Sequence, residues 1–265
     1  MNIERFDNED VLAATLATRL LQAISLNPRI VLGLPTGRTP VALYREVRSR
    51  SHRGHVAWSQ VRTFNLDEFV GLGAGDAGSY RSYMQAELFD HVRIEPINVG
   101  MFDGRAANLA AECARYERAI ELAGGIDIQI LGIGANGHIG FNEPAEALAA
   151  LTHVAALRGE TRSANAGLFG GESGRVPTHA LSMGMATILH AREIVLMATG
   201  AGKSEAVAGM IEGPITTRLP ASFLQVHPRV TVMLDRGAAL RSPDAPRRVR
   251  LAQDRRAAGL ENATD

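Results

Sequence analysis

With 265 residues, 46 % of them hydrophobic, the chain is long enough to bury a sizeable core as one large α/β domain or two small ones. Lys+Arg and Asp+Glu both number 28, and a formal charge of zero removes the main electrostatic argument for nucleic acid or an anionic membrane as partner. Cys113 is the one cysteine, which excludes an internal disulfide and a cysteine metal cluster. The opening residues Met1–Arg5 lack the basic start and apolar stretch of a signal peptide. No apolar run nears the roughly 20 residues that span a bilayer, so a cytoplasmic protein is expected.

Short apolar runs alternate with longer amphipathic stretches. Glu9–Ser25 reads as a helix, Arg29–Leu34 as a strand and Val41–Ser49 as a helix. Val61–Leu66 is the next strand, then Ala106–Ala123 a helix and Ile126–Ile133 a strand. Met183–His190, Glu193–Ala198, Lys203–Ile211 and Arg229–Leu234 repeat the alternation of helix and strand. The strands are nearly unbroken Val, Ile and Leu, which suits strands buried on both faces. The expected fold is therefore a doubly wound, mostly parallel α/β sheet with helices on both faces, Rossmann-like, in a single domain over residues 1–265. From Arg236 to Asp265 the composition shifts to Arg and Ala, which predicts a surface helix and a frayed tail. The basic run Arg247–Arg250 reads as a solvated helix face in a chain of zero net charge.

Open α/β sheets bind ligands beyond the carboxyl ends of their strands, so the segments after the strands carry the chemistry. Gly33–Pro40 (GLPTGRTP) ends a strand, turns, and opens a helix with a proline. Its free N–H groups at Thr36, Gly37, Arg38 and Thr39, with two hydroxyls and a guanidinium, make a phosphate cradle or an ordinary βα turn. Phe64–Phe69 (FNLDEF) puts Asp67 and Glu68 at the end of an apolar strand, where two buried carboxylates are costly. Continued strand geometry points the two to opposite faces, and Asp67 is either a working carboxylate or a turn cap.

Gly132–Pro144 (GIGANGHIGFNEP) begins like G-x-G-x-x-G, but the final glycine opens no helix, which argues against a dinucleotide site. What remains is a glycine-rich loop presenting Asn136, His138 and Glu143. A histidine there, near a carboxylate that sets its tautomer, suits acid–base work. Ala198–Ser204 (ATGAGKS) resembles the end of a P-loop, but Met197 stands where the first glycine is required. Lys203 still supplies a point charge for one phosphate at a helix start. No His/Asp cluster has metal-ligand spacing. An anion cradle, a strand-end carboxylate, a His/Glu loop and a second cation together point to acid–base chemistry on a phosphorylated small molecule.

Gly33–Pro40, Phe64–Leu72, Ser79–Met84 (SYRSYM), Gly132–Pro144 and Leu224–Pro228 (LQVHP) resemble, in order, the glucosamine-6-phosphate deaminases of the glucosamine/galactosamine-6-phosphate isomerase family. The resemblance runs from about Val31 to Asp235, and the stretch GHIGFNEP is its most specific part. It implies an aldose–ketose isomerisation coupled to deamination, in which glucosamine 6-phosphate and water give fructose 6-phosphate and ammonia without an organic cofactor. It further implies Asp67 as the base at C2, His138 with Glu143 and Asn136 for ring opening, and Thr36–Thr39 with Lys203 for the phosphate. A homo-oligomer stays open, since relatives occur as monomers and as larger assemblies. A galactosamine 6-phosphate deaminase, a plain sugar-phosphate isomerase and a non-catalytic sugar-phosphate sensor are the alternatives.

The chain departs from the family at several positions. Asn136 stands where some members carry aspartate, so this side chain cannot itself transfer a proton. Gly167 stands where the family has a phosphate-binding arginine, while Arg38 replaces a glycine of the phosphate loop. The expectation is that the Arg38 guanidinium substitutes for the missing one. Basic residues that allosteric members use for an activator appear here as His153 and Ala155, which predicts no activation by N-acetylglucosamine 6-phosphate.

Overall fold

The computed structural model describes residues 1–54 and 56–241, so the basic run Arg247–Arg250 and most of the expected tail lie outside the described residues. The elements follow in the order β1 (Asn2–Phe6), α1 (Glu9–Leu26), β2 (Val31–Leu34), α2 (Pro40–Gly54), β3 (Arg62–Asn65) and β4 (Asp67–Phe69). Next come α3 (Tyr80–Glu87), β5 (Val99–Gly100), α4 (Leu109–Leu122), β6 (Ile128–Leu131), β7 (His153–Ala156) and α5 (Gly159–Asn165). The chain closes with β8 (His179–Ser182), α6 (Met185–Leu189), β9 (Glu193–Ala198), α7 (Ser204–Glu212) and β10 (Val230–Asp235).

Among the described residues, seven strands form one sheet in the order β1-β10-β9-β6-β2-β3-β5, every pair parallel. Parallel pairing needs helical crossovers, and these cover both faces. Alternate residues of a strand point to opposite faces. Thus on β9 Ile194, Leu196 and Ala198 enter one core with α4, α6 and α7, while Val195 and Met197 enter the other with α1, α2 and α3. Helix α1 shows why these stretches are helical. The Asn8 side chain accepts from the Val11 N–H, Glu9 and Asp10 occupy the first turn, and Leu12, Leu16, Leu20, Leu21 and Ile24 are buried along one stripe. Full burial of each such Leu or Ile contributes about 1.5–3 kcal/mol.

The chain runs outward from β2 to β3 and β5, then returns to place β6 on the other side of β2. The order reverses between β2 and β6, so the crevice beyond their carboxyl ends is the switch point where such sheets take ligands. A second sheet, β4-β8-β7, is antiparallel. It was not visible as strands in the sequence, because the windows HVAA and HALS are too short and mixed for a period of two to register. Strands β2, β3 and β6 and helices α4 and α6 are shorter than expected, as in β6 (Ile128–Leu131) against Ile126–Ile133, whereas β9 has the expected bounds. Helix α2 is instead longer, running from Pro40 to Gly54.

Candidate active site

The turn after β2 is held by its carbonyls. The Tyr44 hydroxyl donates to the Pro35 carbonyl, and the Tyr83 hydroxyl donates to the Gly37 carbonyl at 2.6 Å. Gly37 takes φ +95°, a conformation that favours glycine. With the carbonyls so engaged, the backbone N–H groups of Thr36, Gly37, Arg38 and Thr39 find no acceptor among the described residues. Arg38 is exposed at the lip of this turn, and Lys203 caps α7 half-buried. Burial, then repulsion from Arg38, lowers the Lys203 ammonium below its usual range. Neither has a carboxylate within ion-pair distance among the described residues. Two unpaired cations and a turn of free N–H donors are groups of the kind that bind a multiply charged anion.

Asp67 and Glu68 open β4 and separate as strand geometry requires. Glu68 is 1 % exposed and accepts from the N–H groups of Phe69 (2.8 Å), Tyr80 (2.9 Å) and Arg81 (2.9 Å), capping α3. Asp67 faces the crevice instead. Its Oδ1 lies 3.5 Å from the Thr36 hydroxyl, and a Cβ built on Gly140 would come within 3.7 Å of its Oδ2. Gly140 takes φ +55° at this approach. Burial first, then the Glu68 charge, lifts the Asp67 carboxyl from its ordinary 3.8 to about 8, with the Thr36 hydroxyl opposing weakly. The turn-cap role falls to Glu68, and Asp67 is left as a buried carboxyl of raised proton affinity beside Thr36.

The loop after β6 folds back on itself, with Gly137 N–H to Gly134 carbonyl at 3.0 Å and Gly134 N–H to His138 carbonyl at 2.9 Å. The imidazole of His138 packs on Gly134, where a Cβ would sit 2.3 Å from ring atoms. Of the two expected supports, the amide touches this ring and the carboxylate stands behind it. Asn136 Oδ1 lies 2.8 Å from His138 Nδ1, whereas Glu143 Oε2 is 3.7 Å away and instead accepts from Asn136 Nδ2 at 2.9 Å. A carboxylate only accepts, so the amide must turn its NH₂ to Glu143 and its oxygen to His138. His138 therefore carries its proton on Nδ1 and presents the Nε2 lone pair. Burial lowers the His138 pKa, opposed by Glu143 and aided by Lys203, which favours the neutral ring.

Asp67 thus lies against Thr36 and Gly140; Asn136, His138 and Glu143 form one hydrogen-bonded group; and Lys203 is near enough to Arg38 and His138 to repel their charged forms. Gly167, by contrast, is exposed in the turn Ala166–Phe169, where an added Cβ would meet open space. Two contributors escaped the sequence reading. The Thr161 hydroxyl donates to Glu143 Oε1, and the Tyr80 hydroxyl donates to Asn165 Oδ1 at 3.0 Å. Both come from remote elements, and no spacing signals them.

Fold and site together define a parallel α/β protein built for acid–base chemistry on an anionic small molecule. The chain belongs to the glucosamine-6-phosphate isomerase/6-phosphogluconolactonase family, whose model matches residues 7–233. It is 44 % identical over 239 residues to a glucosamine-6-phosphate deaminase of Clostridium botulinum, covering 90 % of this chain and 98 % of the relative. A deaminase of the same description from Halothermothrix orenii is 47 % identical over 216 residues, 82 % of this chain and 89 % of the relative. Among solved structures, a monomeric glucosamine-6-phosphate deaminase superposes with a TM-score of 0.88 at 40 % identity, covering 91 % of this chain and all of that one. A 6-phosphogluconolactonase from Thermotoga maritima shares the fold, with a TM-score of 0.69 at 17 % identity over 88 % of this chain and 99 % of that one.

Proposed function

We propose that the chain converts glucosamine 6-phosphate and water to fructose 6-phosphate and ammonia. The observation that carries this reading is a buried carboxylate of raised proton affinity sharing one crevice with an oriented neutral imidazole and an unpaired Arg38/Lys203 cradle. The phosphate sits on the Thr36–Thr39 N–H groups between Arg38 and Lys203. His138 Nε2 takes the proton of the C1 hydroxyl and delivers one to the ring oxygen as the C1–O5 bond breaks, leaving the open-chain aldehyde. Asp67 removes the C2 proton, and the electron pair forms a C1–C2 double bond while O1 takes a proton given up by the C2 ammonium. The same carboxyl returns the proton to C1, which leaves an iminium at C2. Water adds there and ammonia departs, leaving the ketose. A carboxyl raised towards neutrality is a better base for a carbon acid than one near 4. The anchored phosphate fixes C2 against it.

Side chains from both sheets meet in this crevice, which supports a single domain. A phosphorylated substrate does not cross membranes unaided, which supports a cytoplasmic location; among the described residues no helix is long and apolar enough to span a bilayer. The monomeric state described for the 40 % identical relative supports a working monomer here. The test is an assay of ammonia and ketose phosphate from glucosamine 6-phosphate and from its galactosamine epimer, beside an Asp67→Asn control. Ammonia from the first substrate and none from the control is the expected result. No ammonia from either substrate sinks the reading.

A further inference from the structure

We propose that Thr161 is a positioning residue that sets the tautomer of His138 through Glu143 and Asn136. The inference rests on the deaminase reading for its kinetic consequence, but its structural content stands apart from it. Thr161 lies on α5, 18 residues beyond Glu143, and is 4 % exposed. Its hydroxyl donates to Glu143 Oε1, while Asn136 Nδ2 donates to the other oxygen, Oε2, at 2.9 Å. Glu143 is 9 % exposed, so these two donors hold both oxygens of a nearly buried carboxylate. Thr161 is itself fixed from behind. The Asn165 amide donates to the Thr161 carbonyl at 2.9 Å and accepts from the Tyr80 hydroxyl at 3.0 Å, and Tyr80 N–H donates to Glu68. A continuous chain of hydrogen bonds thus joins the element that carries Asp67 to the ring of His138.

The consequence follows from what each group can donate. While Glu143 is ionised it accepts only, so Asn136 must present its oxygen to His138 Nδ1, and Nε2 keeps its lone pair. Without the Thr161 hydroxyl, Oε1 is a buried carboxylate oxygen with no donor, and the carboxylate turns to find one, which releases Asn136 Nδ2. Freed from Glu143, the amide can turn over, so that its NH₂ faces His138 Nδ1. That geometry favours the opposite tautomer, with the proton on Nε2, and such a ring cannot accept a proton from the sugar hydroxyl.

The experiment compares wild type, Thr161→Val and Thr161→Ser by ammonia release and by ¹⁵N NMR of the labelled protein, which reads the protonated nitrogen of His138 directly. Wild type should show Nδ1–H. In Thr161→Val, kcat should fall roughly 10- to 100-fold, the range of a lost hydrogen bond to a charged group. KM should stay within about twofold, since a hydrogen bond made only to orient His138 leaves ground-state binding alone. The His138 signal should move towards Nε2–H, and Thr161→Ser should restore both rate and tautomer. If Thr161→Val fails to fold, Thr161→Cys, of similar size with a weakly donating thiol, is read in the same way. Unchanged kcat, a slowed variant that keeps the Nδ1–H signal, or a serine variant as impaired as the valine one overturns the role of Thr161. A wild type that releases no ammonia instead overturns the deaminase reading, a separate outcome.

Discussion

Asp67→Asn should separate stability from catalysis. Burial and the Glu68 charge raise the Asp67 carboxyl from 3.8 to about 8 in the folded state. A group raised on folding gives its full stabilisation below its unfolded pKa and loses it as pH climbs through the folded value. At pH 7 the protein has crossed about three units of that window. At about 1.36 kcal/mol per unit, it is destabilised by about 4 kcal/mol relative to a side chain that never ionises. Relaxation and water around the carboxylate reduce the penalty, so a gain of about 2–4 kcal/mol is expected on removing the charge. For a chain of this size about 2 °C accompanies each kcal/mol, which puts the melting temperature about 4–8 °C higher in the variant at pH 7. The gain should shrink to roughly a third at pH 5 and vanish below about pH 4, where both forms are uncharged. Calorimetry of both proteins from pH 4.5 to 8 measures it. Ammonia release should fall by about 10²–10⁴, the usual worth of a positioned base. A variant no more stable than wild type at pH 7, or a gain that does not shrink towards pH 5, refutes the claim that Asp67 is held at an energetic cost.

Arg38→Gly should raise KM about 10- to 100-fold while changing kcat less, because in the proposed pose the guanidinium contacts a phosphate far from the reacting carbons; an unchanged KM ends the idea that it replaces the family's arginine. Gly167→Arg in that background should recover part of the affinity, since a side chain there meets open space, and equilibrium binding of inorganic phosphate reads this without turnover. Gly134→Ala should cut kcat at least about tenfold by driving a methyl into the His138 ring, whereas Gly132→Ala, with nothing within 4 Å, should be nearly silent; equal effects would show that the ring position is not critical. His153 lines a cleft of about 760 Å³ between α4 and β7 with Glu117, Glu121 and Arg118. Burial lowers the His153 pKa, so this cleft offers no net positive charge to a phosphate. Saturation curves should therefore be hyperbolic and unmoved by N-acetylglucosamine 6-phosphate, and a sigmoidal curve straightened by that compound would refute this.

The parallel core was legible because its strands are buried on both faces, and such burial leaves a nearly continuous apolar run such as EIVLMA in β9. The crevice was legible for a related reason, since glycine, proline and polar residues cluster where those runs stop. The second sheet was not, because β7 and β8 have exposed positions and four residues each. The division of labour between Asp67 and Glu68 was legible only as an alternation. Which of the two faces the ligand depends on α3, whose N-terminal N–H groups claim Glu68. Asn136 and Glu143 were both legible as supports of His138, but not their order. Sequence favours the charged neighbour, whereas the loop geometry puts the amide two residues away in contact and the carboxylate behind it. Thr161 had no signal, because a hydroxyl matters here only through the fold that brings α5 over Glu143.

The position of Asp67 explains how a carboxylate with such a penalty stays fixed. β3 belongs to the parallel sheet and ends at Asn65, and β4 begins the antiparallel sheet at Asp67, so Leu66 alone joins them. Leu66 is held from both sides, its N–H donating to the Leu34 carbonyl at 3.2 Å and its carbonyl accepting from Met183 at 2.8 Å. Asp67 pairs with Ser182 in the second sheet while its carboxyl reaches the Thr36 hydroxyl beside β2. Turning this side chain out to water would break pairing in one sheet or the other, since a one-residue slip reverses every following side chain of the strand. Phe69, Tyr80 and Phe141 pack behind it as a third small core, with Phe69 and Tyr80 ring centres 4.7 Å apart. The two sheets thus hold the carboxyl in a poorly solvated crevice that neither would impose alone. The same confinement that raises its proton affinity keeps it aimed into the crevice, as the proposed role of Asp67 as the C2 base requires.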